Sequence, residues 1–365
     1  MECAATRDKF LTSDFSIGHR GAPLQMPEHT AVSYKAASRM GAGILECDVT
    51  FTKDLELVCR HAQCDLHTTT DIVTRPEMNA KCTTPWSSGV SPTCCASDFS
   101  LAEIKTLCAK MDSSNDKNAA TAEGYAFGGT ADFRTDNYQT ECEPVLTHKE
   151  SIELILSLGG KFTPELKTPS VAMPFDGFSQ ADFAQKMIDE LVMYNVPPED
   201  VWQQSGLAED VQYWIENTNY GDQAVALDFE DSRPRSGDLD WMVGIQAIGG
   251  KYIAPPMWKL VEANPLAGSP GQLDMIPSNM AIAAKGLGFE IVTWTLDRTN
   301  GPLVRDAPAY YWQTLMGKGL GLTEGSRFEL LHVLNVGVGI KGIFDDWPAV
   351  TTFYANCMNK LLRAN

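Results

Sequence analysis

Glu46 and Asp48, in Glu46-Cys47-Asp48-Val49-Thr50, are carboxylates two residues apart. On an extended run that spacing puts both on one face and turns Cys47 the other way. Carboxylates forced together repel unless a proton or a cation sits between them. A hard cation with oxygen ligands is the simpler answer here, because no soft-ligand set stands nearby. Around the pair lie His19-Arg20-Gly21, Pro27-Glu28-His29-Thr30 and Arg60-His61. A histidine can move a proton near neutral pH, and an arginine fork can hold an anion. Glu165-Leu166-Lys167 repeats the two-residue spacing, so a third carboxylate and a lysine also share a face.

The elements that must position these residues alternate. Extended runs are expected at 15–18, 44–50, 161–166, 200–204, 223–228, 251–254, 289–295 and 340–345. Helical patterns are expected at 29–40, 149–158, 179–194, 207–218, 237–247, 277–287, 323–335 and 349–362. A ninth run, 55–60, follows a Thr-Lys-Asp turn too short for a helical crossover, so it reads as a hairpin excursion. Eight strand–helix units predict an α/β fold of the TIM (β/α)8 barrel type, with an open doubly wound sheet as the alternative from periodicity alone. Chemistry in a barrel sits at the C-terminal strand ends. His19, Arg20, Glu46, Asp48, Glu165, Lys167 and Trp294 all fall at such ends.

Residues 71–142 break the rhythm with Pro76, Pro85, Pro92, Gly128-Gly129, much Ser and Thr, and one helix near 100–110. They read as a cysteine-rich insertion after the second barrel strand, walling the cleft beside His61, so 1–365 is expected to be a single domain. Seven of the ten cysteines lie between 59 and 142. None forms a Cys-x-x-Cys pair, which argues against a zinc ribbon and for disulfides made in a secreted, periplasmic or other oxidising compartment. Cys3 and Cys357 are placed to tie the ends together, and Cys47 is expected to stay free. The N-terminal Met-Glu-Cys-Ala-Ala-Thr-Arg-Asp lacks a basic-then-apolar pattern; a mature form with a start Met added, or a cytosolic protein, fits it. The net charge of −18 argues against nucleic acid and anionic membrane surfaces. No run of 18 apolar residues suggests a transmembrane helix.

His19-Arg20-Gly21, Pro27-Glu28-His29-Thr30, Glu46-x-Asp48-Val49, Thr52-Lys53-Asp54 and His61, then Glu143-Pro144-Val145-Leu146, Glu165-Leu166-Lys167, Gln204-Ser205, Trp294-Thr295 and Gly342-Ile343-Phe344-Asp345-Asp346, resemble in order the glycerophosphodiester phosphodiesterase family. The resemblance implies a barrel enzyme that converts a small-molecule glycerophosphodiester and water to an alcohol and glycerol 3-phosphate. It implies Glu46, Asp48 and Glu165 as ligands of one divalent cation, Ca²⁺ or Mg²⁺. It implies His19 and His61 as the acid–base pair, Arg20 and Lys167 as groups that hold the phosphate and its developing charge, and Trp294 as an apolar wall against the glycerol or alcohol moiety. His29 stands where the family has Asn, and adds a titrating group. Asp345-Asp346, in place of Thr-Asp, reads as structural. The alternatives are a lysophospholipase D or phospholipase D-like lyase acting on lipids, and a retired barrel that only binds.

Overall fold

The computed structural model describes residues 10–112, 118–131, 133–135, 141–229, 235–299 and 310–358. The chain forms two compact units, Met1–His19 with Ala37–Ile44 and Gly206–Asn365, and Arg20–Ala36 with Leu45–Ser205.

The first unit is an α/β sheet whose strands pair in parallel in the order Val225–Leu227, Tyr252–Ala254, Glu290–Leu296, Gly342–Asp345 and Ser13–Gly18. Their near-continuous apolar runs suit strands covered on both faces. Ile17, Val225, Ile253, Ile291 and Ile343 are at most 1% exposed. Helices Ala208–Asn217, Arg235–Ala247, Asn279–Gly286 and Ala349–Cys357 lie between or after the strands, as the alternation predicts. Ser278 starts Asn279–Gly286 by accepting the Ala281 N–H. An antiparallel pair, Val261–Ala263 with Met275–Pro277, was not anticipated; a Gly/Pro-rich loop at 265–271 hides so short a ribbon in the sequence. The predicted 323–335 helix is shorter, Ser326–His332, and continues as a π-turn stretch to Val338.

In the second unit, Asp48–Phe51 pairs in parallel with Glu165–Leu166, which pairs in parallel with Gln204–Ser205. Leu57–Cys59 returns antiparallel to Asp48–Phe51, the expected hairpin. The expected 44–50 and 161–166 runs are each interrupted, leaving Ala42–Leu45 apart from Asp48–Phe51 and Lys161–Phe162 apart from Glu165–Leu166. Pro164 accounts for the second break, since it has no N–H to give the ladder.

The insertion lacks periodicity but not a core. Leu66, Ile72, Val73, Phe99, Ile104, Leu107 and Tyr125 pack with Val58 and Val145 around short helices such as Pro76–Asn79, Leu101–Ile104 and Ala122–Phe127. Disulfides Cys64–Cys95, Cys82–Cys94 and Cys108–Cys142 staple it. Its end docks on the loop after Arg20: Arg134 Nη1 donates to Pro23 O at 3.2 Å, and Gln25 Nε2 to Phe133 O at 3.1 Å. Cys47 is not free. It bonds Cys59, because the antiparallel return carries Cys59 back beside it. The expected Cys3–Cys357 link involves Cys3, outside the described residues.

Candidate active site

Parallel register builds the carboxylate cluster. Asp48 lies directly opposite Glu165, and Gln204 is in register with Glu165 on the next strand. Glu46, Asp48 and Glu165 thereby offer ligand atoms all within 4.8 Å of one another, and all three are buried. Gln204 Nε2 holds Glu46 Oε1 at 2.8 Å, and the Arg20 N–H holds Glu46 Oε2 at 3.0 Å. Lys167 Nζ meets Glu165 Oε1 at 2.6 Å.

Arg20 sits in a left-handed turn, φ 54°, a backbone conformation that costs energy for any residue but glycine. Gly21 follows at φ 94°, where a Cβ would stand 2.6 Å from the Ser33 backbone, so only glycine fits. The turn aims the guanidinium at two acids: Nη1 meets Glu28 Oε2 at 2.8 Å and Nε meets Asp48 Oδ2 at 3.0 Å. His29, also left-handed at φ 58°, braces the same oxygen, with Nε2 3.0 Å from Asp48 Oδ2 and Nδ1 3.2 Å from the Tyr34 hydroxyl. Thr30 accepts the Ser33 N–H and starts the helix Ala31–Arg39, which anchors the turn. Arg60, fully buried, donates to Glu28 O at 3.1 Å and ties this loop to the strand end that delivers His61.

The electrostatics divide the three acids. Burial, reinforced by the Asp48 and Glu165 carboxylates, pushes Glu46 well above the usual range. Burial raises Glu165 to about 8, against the opposing pull of Lys167. Asp48 is equally desolvated, but Lys167, Arg20 and His29 hold it well below the ordinary value. Burial would lower Lys167, yet Glu165 and Asp48 keep it above its ordinary value. Burial, then the Arg20 and Lys167 charges, hold His61 well below the ordinary histidine value, so it is neutral at pH 7. Burial likewise outweighs Asp48 at His29.

These residues fit a divalent cation. Asp48 Oδ1 is buried without a hydrogen-bond partner. Ligand atoms that all lie within 4.8 Å of one another are close enough to share one ion with bonds of about 2.4 Å. Among the described residues, Arg20 pairs with Glu28 and Asp48 and Lys167 with Glu165, while Glu46 adds a further carboxyl to the cluster.

His19 and Trp294 belong to the first unit. His19 follows the strand Ser13–Gly18, and its Nδ1 lies 2.5 Å from Asp346 Oδ1. Asp346 is wholly buried and also receives Arg298 Nη1 at 3.0 Å. Asp345 behaves as a structural residue, accepting from Trp347 N–H at 2.8 Å and Thr351 Oγ1 at 2.6 Å. Asp346 contacts a candidate catalytic histidine, which only the Asp-Asp doublet at a strand end hinted at. Trp294 is 7% exposed and fixed by a 2.8 Å bond from its Nε1 to Ala254 O. His148 pairs with Glu190 at 2.9 Å and His332 packs on Tyr354.

Residues 19–318 match the glycerophosphoryl diester phosphodiesterase family. An extracellular protein of Arthroderma benhamiae is 36% identical over 257 residues, 68% of this chain and all of that one. A glycerophosphodiester phosphodiesterase of Arabidopsis thaliana is 36% identical over 109 residues, 29% of each chain. A solved structure from Silicibacter pomeroyi superposes with a TM-score of 0.61 at 17% identity, covering 97% of this chain and 96% of that one. An Oleispira antarctica phosphodiesterase solved with the product sn-glycerol-3-phosphate gives 0.53 at 16% identity, covering 95% and 98%. The chain belongs to the glycerophosphoryl diester phosphodiesterase family and has its TIM-barrel fold. It is an enzyme, a phosphoric diester hydrolase with glycerophosphodiester phosphodiesterase activity.

Proposed function

We propose that the chain hydrolyses small glycerophosphodiesters, such as glycerophosphocholine and glycerophosphoethanolamine, to an alcohol and glycerol 3-phosphate, and that it needs one divalent cation, Ca²⁺ or Mg²⁺, held by Glu46, Asp48 and Glu165. The observation that carries this reading is the buried three-carboxylate cluster with an orphaned Asp48 oxygen beside Arg20 and Lys167. When bound, the cation supplies charge for the phosphate oxygens and acidifies a nearby hydroxyl. Arg20 grips two phosphate oxygens with its planar fork, and Lys167 adds a point charge where negative charge grows in the transition state.

His19 and His61 divide the proton work. One takes the proton from the glycerol 2-hydroxyl as that oxygen attacks phosphorus; the other gives a proton to the departing head-group oxygen. Water then opens the cyclic phosphate, and one phosphorus–oxygen bond has been exchanged for another at each step. His61, neutral at pH 7, suits the base. Asp346 holds His19 by its Nδ1, which leaves Nε2 as the atom that exchanges a proton. Residues 1–365 act as one domain with 71–142 inserted. Disulfides and the likeness to an extracellular protein support a secreted enzyme.

The test is glycerol 3-phosphate release from glycerophosphocholine, with EDTA and then with Ca²⁺ or Mg²⁺ restored. Loss with EDTA and recovery with one ion is the expected result; release indifferent to EDTA overturns the cation role. A diester lacking the 2-hydroxyl should be inert, and its cleavage at an equal rate would replace internal attack by direct attack of water.

A further inference from the structure

Five aromatic rings gather at one end of the first unit's sheet. Trp258 and Trp294 cross at 83° with centroids 5.4 Å apart. Tyr310 and Tyr311 stand on both: Tyr310 is 4.9 Å from Trp258 and 6.3 Å from Trp294, Tyr311 5.7 Å and 6.0 Å. Phe229, 50% exposed, leans on Trp294 at 5.8 Å. Its ring edge stands against Gly206, where a Cβ would come 2.6 Å from Phe229 Cε2. Packing alone would bury such rings together. Here the indoles are buried, Phe229 is exposed and both tyrosines are half-buried.

The rings are close to the proton-transfer machinery of the same unit. Trp294 lies on Glu290–Leu296, which pairs with Gly342–Asp345, which pairs with Ser13–Gly18. His19 is therefore two strand spacings away, on the order of 10 Å, at the same C-terminal end. Arg298, four residues beyond Trp294, reaches the Asp346 that holds His19.

We infer that Phe229, Trp258, Trp294, Tyr310 and Tyr311 form a head-group subsite for a quaternary ammonium, so that the diesters preferred are those of choline-like alcohols. This rests on the phosphodiesterase reading above and names its leaving group. Ring faces carry negative quadrupole charge and attract a cation, most of all one too weakly hydrated to lose much on leaving water. Hydroxyl-rich alcohols such as glycerol meet the same faces with donors and acceptors unsatisfied. The chain's net charge of −18 also favours a cationic head group at long range.

The experiment compares kcat/KM for glycerophosphocholine and glycerophosphoglycerol in the parent, Tyr310→Leu and Phe229→Leu. Leucine keeps apolar bulk and removes the π face. The parent should favour the choline diester about tenfold, and each variant should shrink that preference by about three- to tenfold, losing more on the choline diester than on glycerophosphoglycerol. Equal loss on both substrates, or an unchanged ratio, overturns the subsite. A second arm needs no turnover: tetramethylammonium chloride should change tryptophan fluorescence saturably beyond matched sodium chloride, and Tyr310→Leu should weaken the response. No response in the parent overturns the subsite too. Saturable binding with no diester hydrolysed would instead overturn the phosphodiesterase reading and keep the subsite.

Discussion

Asp346→Asn isolates what the Asp346 carboxylate does for His19. The carboxylate is wholly buried, 2.5 Å from Nδ1, and fixes that nitrogen as the donor. Asparagine keeps the shape but presents either an amide N–H or a carbonyl, so the ring no longer has one enforced tautomer. A charge-assisted bond of this kind is worth about 1.5–3 kcal/mol. If that energy is realised in the transition state, kcat falls about 10- to 150-fold, at 1.36 kcal/mol per decade. KM should move less than about threefold, because Asp346 touches the histidine and not the substrate. Arg298 loses its 3.0 Å ion pair, so some loss of stability accompanies the change. The assay is steady-state glycerol 3-phosphate release, with circular dichroism to confirm the fold. The double variant His19→Gln/Asp346→Asn should be no slower than His19→Gln alone, since Asp346 acts through the ring. A folded Asp346→Asn enzyme with kcat within threefold of the parent would falsify the orienting role, and so would a double variant slower by the full product of both effects.

Three further outcomes follow from the site. Saturating cation at about 100 times Kd should stabilise the protein by about 2.7 kcal/mol, and Glu165→Gln should remove most of that gain in a thermal melt; an unchanged shift would place the ion elsewhere. The Cys47–Cys59 bond closes a short loop, at a sequence separation of 12, so Cys47→Val/Cys59→Val should cost about 3 kcal/mol in urea unfolding. A variant as stable as the parent would show that the antiparallel pair holds itself. Burial raises Asp65 to about 7 from an ordinary 3.8. Below pH 3.8 both states are protonated and nothing is lost. Between there and about pH 7 the unfolded chain ionises first, so stability falls, by at most about 4 kcal/mol. Asp65→Asn should therefore match the parent at pH 3.5 and exceed it at pH 8; a constant difference across that range would contradict the shift.

Much of the site was legible because its spacing is periodic. Two-residue spacing put Glu46 with Asp48 and Glu165 with Lys167, and the order of strands and helices put all of them at strand ends. What escaped is whatever depends on a partner distant in the chain. From the sequence Cys47 is expected to stay free, because the hairpin at 55–60 is legible but the register that carries Cys59 back beside Cys47 is not. The core of 71–142 escaped because short helices and disulfides, rather than an amphipathic period, bury its Phe99, Ile104 and Tyr125.

The sequence by itself determined the ligand types, their spacing along each strand and the βα alternation, since these follow from strand geometry and hydrophobic pattern. Only the tertiary structure decided that Asp48 faces Glu165, that Gln204 holds Glu46, that His29 braces Asp48, and that Asp346 takes His19 across 327 residues. Register between strands fixes such pairs. Register is set by packing of the whole sheet, which no local stretch of sequence encodes.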